Sequence, residues 1–337
     1  MKNSNKCSGK YAHRLATLLL SLTLAFCLGI AAAAEPAAIM VSAGINSAPI
    51  AENLEFTTFR GVALSGSFRA FDPDGDDMSF EITEVPKKGS VTSDGGSGFI
   101  YSPSVKSKGR DCFSYVAVDA NGGVSEAATV TVQIKKQSVK TTYADMDGSP
   151  ALYAALVLSE RGVFTGERLG DEYFFRPDEP LTRGEFLALC LKAADAEPLD
   201  GVTRTGFFDD GDIPAWAKPY VSAALMRGIV AGYRDDEGRV MFSPNSPVTF
   251  SEAAVMVSNT FAITDVVSAI APDSDAIPAW AQASSANLSA CGILPDGVAG
   301  ISDKPVTRAD AARLLAASTA VQDARNSKGG LLGWAKK

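Results

Sequence analysis

The sequence predicts two modules, an all-β sandwich followed by an all-α region built from three repeats. The repeats are indicated by the pentapeptide Ile-Pro-Ala-Trp-Ala, which occurs at 213–217 and again 64 residues later at 277–281. A fixed period of this kind indicates a repeat architecture. The sandwich is indicated by residues 48–134, where short β-rich runs alternate with Gly- and Asp-containing turns. About seven strands in roughly ninety residues is typical of a β-sandwich.

The N-terminal segment has the pattern of a secretory signal. Four basic residues precede the apolar run 15–33, which leads into an alanine tract. We therefore expect residues 1–34 to be removed on export. An uncleaved anchor is the alternative, because the run approaches the roughly 20 residues that a membrane span needs. Phe26 is too bulky for a lipoprotein site before Cys27. We expect no stable membrane insertion after cleavage.

Composition restricts the function. The formal charge is −8, and the predicted signal contains no acids, so the exported chain is more acidic still. This charge disfavours nucleic acid and anionic lipid as partners. The only histidine is His13, inside the predicted signal. The exported chain therefore cannot use Ser-His-Asp or Cys-His catalysis or an imidazole-ligated zinc site. Carboxylate catalysis remains open in principle, but the two modules leave no room for a catalytic domain, and we predict that the protein is not an enzyme.

Three cysteines follow the predicted signal, at 112, 190 and 291. They are scattered over separate apolar segments, and an odd set of this kind does not suggest a disulfide framework. We expect them to act as small buried hydrophobic residues.

Residues 35–46 are predicted to be a linker and residues 47–135 the sandwich. Alternation is clearest in the last predicted strand, where Val130, Val132 and Ile134 should face the core. The other predicted strands run over 62–71, 78–85, 98–101 and 112–118.

An acidic turn in this module is a candidate metal site. Asp72, Asp74 and Asp76 surround Gly75, and Asp119 follows a later strand. Carboxylates at alternate positions around a glycine turn can converge on calcium, which takes six to eight oxygen ligands. The alternative is that these aspartates only form turns.

The β module resembles the bacterial cadherin-like, tandem immunoglobulin-type modules of surface proteins. The resemblance covers roughly 47–135 and rests on the ordered motifs at 48–51, 71–76, 86–91, 99–103, 109–115 and 118–122. It implies a spacer or adhesive unit, sometimes stiffened by calcium, but no particular ligand.

Residues 136–142 are predicted to be a hinge before the repeats. In the second repeat, the first helix should run over 218–227, with Pro219 at the first position that tolerates proline and Gly228 as a left-handed C-terminal cap. The second helix should begin after Thr249 and end near Phe261.

Each repeat also has a Thr followed three residues later by an acid, at 182–185, 249–252 and 307–310. This spacing predicts a capping box. It does not explain Arg183 and Arg308, whose charge is unfavourable for the dipole at a helix start. We expect free N–H groups and a guanidinium there to form a site for an anionic group such as a carboxylate. A solvated Arg is the alternative.

Trp216 and Trp280 lie in the repeated pentapeptide. Packing in the core is the first expectation for an aromatic residue early in a helix. The alternative is that their faces stack on a sugar ring.

These repeats resemble S-layer homology domains, which hold exported proteins on bacterial cell walls. The landmarks are the motifs at 143–145, 207–209, 216–217, 228–233 and 242–244, and three aspartates (Asp145, Asp209 and Asp273) separated by 64 residues each. The resemblance implies an all-α pseudo-three-fold bundle with grooves between repeats at 143–200, 201–264 and 265–321, followed by a tail at 322–337. The implied ligand is a secondary cell-wall polysaccharide, often carrying a pyruvyl ketal, or else peptidoglycan. The candidate glycan-binding residues are Arg183, Arg308, Trp216, Trp280, Asp209, Asp145, Gly232 and Tyr233.

The repeats also depart from the pattern. The first repeat lacks the Trp, and the second has Phe250 in place of the Arg. The third lacks the Gly-Tyr and Phe-Xaa-Pro landmarks. We therefore expect binding at Arg183 and Arg308 and a degenerate site at Phe250. The sequence thus predicts a non-enzymatic cell-surface protein anchored to the wall. The alternatives are a self-assembling lattice subunit and an outer-membrane-associated protein that grips a peptidoglycan-linked polymer.

Overall fold

A computed structural model describes residues 46–264, 276–294 and 302–332. The predicted signal 1–34, nearly all of the linker 35–46, Asp273 and the last five residues lie outside the described residues. The chain divides into two compact units. Among the described residues, the first comprises 46–56, 66–99 and 110–132. The second comprises 57–65, 100–109 and the described residues from Gln133 onward.

The β module contains a four-stranded and a three-stranded sheet. The orders are β2-β9-β8-β5 and β3-β7-β6, and β1 pairs separately with β4. The predicted strand at 62–71 is divided in two, because β3 belongs to the three-stranded sheet whereas β4 pairs with β1. The strands are β1 (Ile50–Ala51), β2 (Leu54–Phe59), β3 (Leu64–Ser67), β4 (Ala70–Phe71), β5 (Met78–Glu84), β6 (Gly89–Ser93), β7 (Gly98–Pro103), β8 (Gly109–Asp119) and β9 (Ala128–Lys135).

Side chains from both sheets form the core of this module. Val130, Val132 and Ile134 are buried, as their alternation predicts. Phe99 on β7 packs edge to face against Phe113 on β8, with ring centroids 5.4 Å apart. Such aromatic pairs stabilise a core beyond the area that they bury.

The described cysteines differ in whether their sulfur is free or disulfide-bonded. Cys190 and Cys291 carry free thiols, and Cys190 is buried as the sequence predicts, whereas Cys291 is only half-buried. Burial raises the pKa of the Cys190 thiol, which makes it unreactive. Cys112 is disulfide-bonded, so the prediction is wrong at that position.

The repeat region contains six described helices and two β-hairpins. The helices are α1 (Leu152–Glu160), α2 (Arg183–Ala193), α3 (Lys218–Met226), α4 (Phe250–Thr260), α5 (Ala279–Ala290) and α6 (Arg308–Leu332). The hairpins are β10 (Glu167–Leu169) with β11 (Glu172–Phe174), and β12 (Tyr233–Arg234) with β13 (Val240–Met241). Within the described ranges, no helix has both the length and the apolar character that a membrane span requires.

The all-α prediction is therefore wrong for this region. Each hairpin begins directly after a glycine with positive φ, Gly166 at 80° and Gly232 at 72°. Such backbone favours glycine and cannot continue a helix. The Gly232-Tyr233 landmark is visible in the sequence, but its pattern does not indicate that a strand begins there.

The helix predictions for the second repeat are confirmed. Helix α3 begins at Lys218, has Pro219 in its first turn and is followed by Gly228 with a φ of 69°. Helix α4 ends one residue before Phe261. Thr182 and Thr249 form reciprocal capping boxes with Glu185 and Glu252. Thr307 and Asp310 make the same pair of hydrogen bonds.

The segments that precede α2, α4 and α6 exchange backbone hydrogen bonds in a closed ring. The N–H of Leu181 donates to the carbonyl of Val306 at 3.0 Å, Val306 to Val248 at 2.8 Å, and Val248 to Leu181 at 3.0 Å. The helices pack in the same cyclic order, since α3 contacts α2, α5 contacts α4 and α1 contacts α6. Each first helix of a repeat therefore packs on the second helix of the preceding repeat.

Candidate functional site

The starts of helices α2 and α6 do not offer free N–H groups. The N–H groups of Arg183 and Gly184 donate to carbonyls of 246 and 244, at 2.8 and 2.9 Å. Those of Arg308 and Ala309 donate to carbonyls of 179 and 177, both at 2.9 Å. The hydroxyl oxygens of Thr182 and Thr307 accept the next orphan N–H, from Glu185 and Asp310. The expectation of an anion site made from free N–H groups is therefore wrong, because a loop of the next repeat already satisfies them.

Arg183 places a guanidinium against the hairpin of the second repeat. Its side chain is only 11% exposed, and Nη1 lies 2.9 Å from Oε1 of Glu252. The guanidinium lies 5.3 Å from the centroid of the Phe242 ring. Burial lowers the pKa of Arg183, although Glu252 opposes the shift. Nε is buried and has no hydrogen-bond partner among the described residues.

The Tyr233 phenol lies near this guanidinium and contacts the hydroxyl of Ser243. The phenol oxygen of Tyr233 lies 2.5 Å from the Ser243 hydroxyl, and the Tyr233 phenol acts electrostatically on Arg183. Tyr233 is about half exposed. Gly232 has a conformational role here, because a Cβ at this position would lie 2.6 Å from the carbonyl oxygen of Met241.

Asp209 and Asp145 orient equivalent loops. The Asp209 carboxylate accepts the N–H groups of Phe242 and Ser243 at 2.9 and 2.7 Å. The Asp145 carboxylate accepts those of residues 175 and 176 at the same two distances. Ser243 and Arg176 have positive φ values of 56° and 55°. Both aspartates thus stabilise an unfavourable backbone conformation, a role that sequence reasoning missed.

Arg308 meets the hairpin of the first repeat in the same way, but its neighbours differ. Nη1 lies 3.1 Å from Glu179 and 3.6 Å from Glu167. The guanidinium lies 5.5 Å from the Phe164 ring. Arg176 contacts the same two carboxylates, at 2.6 Å for Glu167 and 3.9 Å for Glu179. The Nε of Arg308 is also buried without a partner among the described residues.

Phe250 takes the place of the Arg in the second repeat. It is buried, and its N–H donates to the carbonyl of Lys304 at 3.1 Å. The backbone contact between repeats is therefore retained at this position without a guanidinium.

Both tryptophans are exposed, and the core-packing expectation is wrong. The exposed fraction is 52% for Trp216 and 60% for Trp280. Trp216 lies just before α3, and Trp280 is in the first turn of α5. Their rings are therefore accessible to a ligand.

In the β module, the three aspartates of the acidic turn converge. Each of Asp72, Asp74 and Asp76 offers an oxygen within 4.8 Å of the other two. Asp72 is only 6% exposed, and its Oδ2 has no hydrogen-bond partner among the described residues. This arrangement of hard oxygen donors suits calcium.

Asp119 is not part of this group. Its carboxylate accepts hydrogen bonds from the Asn46 side chain and from the N–H groups of Asn121 and Gly123. These hydrogen bonds lower the pKa of Asp119 although its desolvation opposes the shift. Asn121 also donates to Asp76 at 2.6 Å, so Asp119 supports the neighbouring loop through an amide.

Comparison with known proteins identifies a domain in each module. A family description of the bacterial Ig domain matches residues 46–133. The description of the S-layer homology domain matches residues 207–254, which hold Asp209, Trp216, Tyr233, Phe242 and Glu252. The chain contains an S-layer homology domain. The protein is therefore associated with the cell wall at the cell surface.

A surface-layer 125 kDa protein of Lysinibacillus sphaericus is 27% identical over 153 residues. The match covers 42% of this chain but only 12% of that relative. Among solved structures, the SrpA adhesin of Streptococcus sanguinis is 16% identical, with 31% of this chain and 64% of that chain covered and a TM-score of 0.24. A SusE-like polysaccharide-binding protein of Bacteroides thetaiotaomicron is 16% identical over 28% of this chain and 15% of its own, with a TM-score of 0.20.

Sequence reasoning missed the acids that pair with the two arginines. The sequence pattern predicts a capping role for Glu252 and no role for Glu167 or Glu179. Gly166 and Gly232 each precede a hairpin. When Gly166 and Gly232 are aligned, Glu167 occupies the position in the first repeat that is equivalent to Tyr233 in the second.

Proposed function

We propose that the helical repeats hold this protein non-covalently on the bacterial cell wall by binding an anionic secondary cell-wall polysaccharide. The bacterial Ig domain is the module displayed by this anchor. The surface-layer protein of Lysinibacillus sphaericus supports the proposal, because its match to this chain suggests a similar cellular location.

The observation that carries the proposal is the Arg183 guanidinium with its unpartnered Nε. Glu252 and Phe242 hold this group at the edge of a hairpin whose Tyr233 is half exposed. A carboxylate on the ligand, such as a pyruvyl ketal, pairs well with a guanidinium. The hydroxyls of Tyr233 and Ser243 are suited to bonding sugar oxygens.

The exposed tryptophans support a sugar ligand. A large aromatic face that is accessible to solvent can stack on the apolar face of a sugar ring. Trp216 and Trp280 have the same place in two successive repeats, and both are more than half exposed.

The pseudo-three-fold arrangement of the repeats is also part of the proposal. It is supported by the closed ring of Leu181, Val248 and Val306 and by the cyclic order in which the helices pack. A cyclic arrangement brings each helix start next to a loop of the following repeat, which is where Arg183 and Arg308 lie.

We propose that neither module is catalytic. Both matched domains belong to surface and wall-binding classes, and the chain after residue 13 has no histidine. A turnover assay on wall glycans tests this part, and measurable hydrolysis would refute it.

Co-sedimentation with purified cell-wall sacculi tests the anchor. We expect the protein to sediment with intact sacculi and to remain in solution after the secondary polymer is stripped chemically. Binding that survives stripping would favour peptidoglycan or a polymer linked to it, as in the outer-membrane-associated alternative. Absence of binding to either material would refute the anchor.

The lattice alternative is favoured by the description of the Lysinibacillus sphaericus relative as a surface-layer protein. Electron micrographs of the purified protein test it. Ordered arrays would support a self-assembling subunit, and dispersed particles would favour the anchor.

We also propose that the acidic turn binds calcium through Asp72, Asp74 and Asp76. The proposal rests on the convergence of the three oxygens and on the buried, unpartnered Oδ2 of Asp72. Asp119 contributes indirectly, since its Asn121 partner orients Asp76.

A further inference from the structure

The two hairpins of the repeat region are equivalent in position but differ in chemistry. Glu167 and Tyr233 are each the first strand residue after a positive-φ glycine. Each strand pairs with a strand that ends just before a phenylalanine held by Asp145 or Asp209. An arginine of the neighbouring helix start lies against each hairpin. Glu167 therefore occupies the place in the Arg308 site that Tyr233 occupies in the Arg183 site.

Glu167 connects two guanidinium groups. Its carboxylate lies 2.6 Å from Arg176 and 3.6 Å from Arg308. A carboxylate between two arginines is the arrangement that an anionic ligand would adopt in this site. In the Arg183 site the equivalent residues are Tyr233 and Ser243, whose hydroxyls contact each other and bring no negative charge.

We propose that Glu167 acts as an internal ligand that closes the Arg308 site to anionic sugars. This inference rests on the proposed function and names Arg183 as the site that takes the carboxylate. A ligand carboxylate at Arg308 has to displace Glu167 or lie beside it, and two like charges placed together repel each other and weaken binding. Glu167 thereby determines which of the two arginine sites binds.

Neutralising Glu167 tests the inference directly. Glu167 is about 42% exposed on its side chain, so Glu167→Gln should fold. The matched control is Glu172→Gln, which removes the same charge from the other strand of the same hairpin. Each variant of the full exported chain is titrated calorimetrically with a methyl hexoside that carries a pyruvyl ketal. The methyl ester of the same sugar serves as the uncharged probe.

We expect Glu167→Gln to bind one more equivalent of the ketal sugar than the wild type, and Glu172→Gln to bind like the wild type. The added equivalent should disappear in Glu167→Gln/Arg308→Gln and with the methyl ester. In the converse variant, Tyr233→Glu, binding at the Arg183 site should fall.

Two results would overturn the inference. One is an unchanged stoichiometry in Glu167→Gln. The other is a loss of binding when Arg308→Gln is introduced into the wild type, because that site would then already be open. Sacculus co-sedimentation of the wild type separates these outcomes from failure of the anchor. A wild type that does not sediment refutes the anchor, and an added equivalent in Glu167→Gln still supports the closed Arg308 site.

Discussion

Helices α2 and α6 both begin with an arginine, but the two guanidinium groups have different charged neighbours. Arg183 pairs with one carboxylate, whereas Arg308 lies near two that it shares with Arg176. Burying a charge costs desolvation free energy, and whether this cost is offset depends on the partners that surround the charge. A binding role is therefore assigned from the neighbours of each guanidinium.

Arg183→Ala should abolish most of the binding to sacculi and lower stability. Removing the guanidinium leaves Oε1 of the partly buried Glu252 without its cationic partner, although Oε2 still accepts the N–H of Thr249. Such a loss costs about 1–3 kcal/mol. Binding is measured by co-sedimentation and folding by circular dichroism at the same temperature. Arg234→Ala is the control, because among the described residues the side chain of that exposed arginine donates to the carbonyl of Gly238 alone. A folded Arg183→Ala protein that sediments like the wild type would contradict the assigned role.

The lowered pKa of Asp210 predicts that the stability of the fold depends on pH. Hydrogen bonds from the Lys218 side chain and the Thr205 N–H lower the pKa of Asp210 to about 2. The folded-state pKa lies below the ordinary value of about 3.9, so the ionised group stabilises the fold above that value. This stabilisation should be lost as the pH falls from about 4 to about 2.

The test compares melting temperatures of the wild type and Asp210→Asn across this range. The difference between them should be largest near neutral pH and shrink towards pH ~2. Asp212→Asn serves as the control for removing a nearby charge. A difference that stays constant with pH would show that the Lys218 contact does not stabilise the ionised form.

Sequence reasoning succeeded at this scale where the interaction is local. The capping boxes at Thr182 and Thr249 join residues three positions apart, so spacing alone predicts them. It failed for the Arg183–Glu252 pair, because the partners come from different repeats. It also failed for the exposed Trp216, because burial depends on neighbours that the sequence does not specify.

The hairpins show why the elements of the repeat region were only partly predictable. Helices α3 and α4 follow from a proline start, a glycine cap and a capping box. The two-residue strands β12 and β13 are too short for an alternation pattern to be visible. What positions them is the backbone of Gly232, which appeared in the sequence only as a landmark.

Gly232→Ala should therefore destabilise the hairpin more than Gly238→Ala. Both glycines have positive φ, where an alanine costs about 1–2 kcal/mol. Only Gly232 is also crowded, since an added Cβ would lie 2.6 Å from Phe207 and from the Met241 carbonyl oxygen, whereas Gly238 has open space. Overpacking should add ~1–3 kcal/mol. Urea unfolding of the two variants measures the difference, and equal losses would exclude the close approach as the reason for the glycine.

The acidic turn gives a test of the calcium proposal. If the three aspartates hold calcium, adding the metal to chelator-treated protein should raise the melting temperature of the β module, because a ligand that binds only the folded state stabilises it. Differential scanning calorimetry of the exported chain measures this shift. Asp74→Asn should abolish it, whereas Asp94→Asn in another turn should not. An equal calcium-induced rise in melting temperature in both variants would mean that the aspartates of 72–76 only form the turn.

At the scale of the whole molecule, the repeats depend on one another. Sequence periodicity predicted three repeats, but it could not predict that α1 of the first packs on α6 of the third. Packing order is a property of the closed ring, in which Val306 accepts the N–H of Leu181 and donates to Val248. The described part of the repeat region is therefore closed on itself, and no repeat retains all its contacts when another is removed.

Truncation after Pro305 should consequently destabilise the first repeat, although its sequence is untouched. The deletion removes α6, the partner of α1, and the Val306 carbonyl that accepts from Leu181. Hydrogen exchange at the amides of α1 measures the effect, and we expect protection there to fall towards that of a frayed segment. The control ends at Asn326, which retains the contacts of Arg325 with Ala262 and of Asp323 with Arg161. Unchanged protection of α1 in the shorter chain would mean that the repeats fold independently, and the grooves at Arg183 and Arg308 would then not require ring closure.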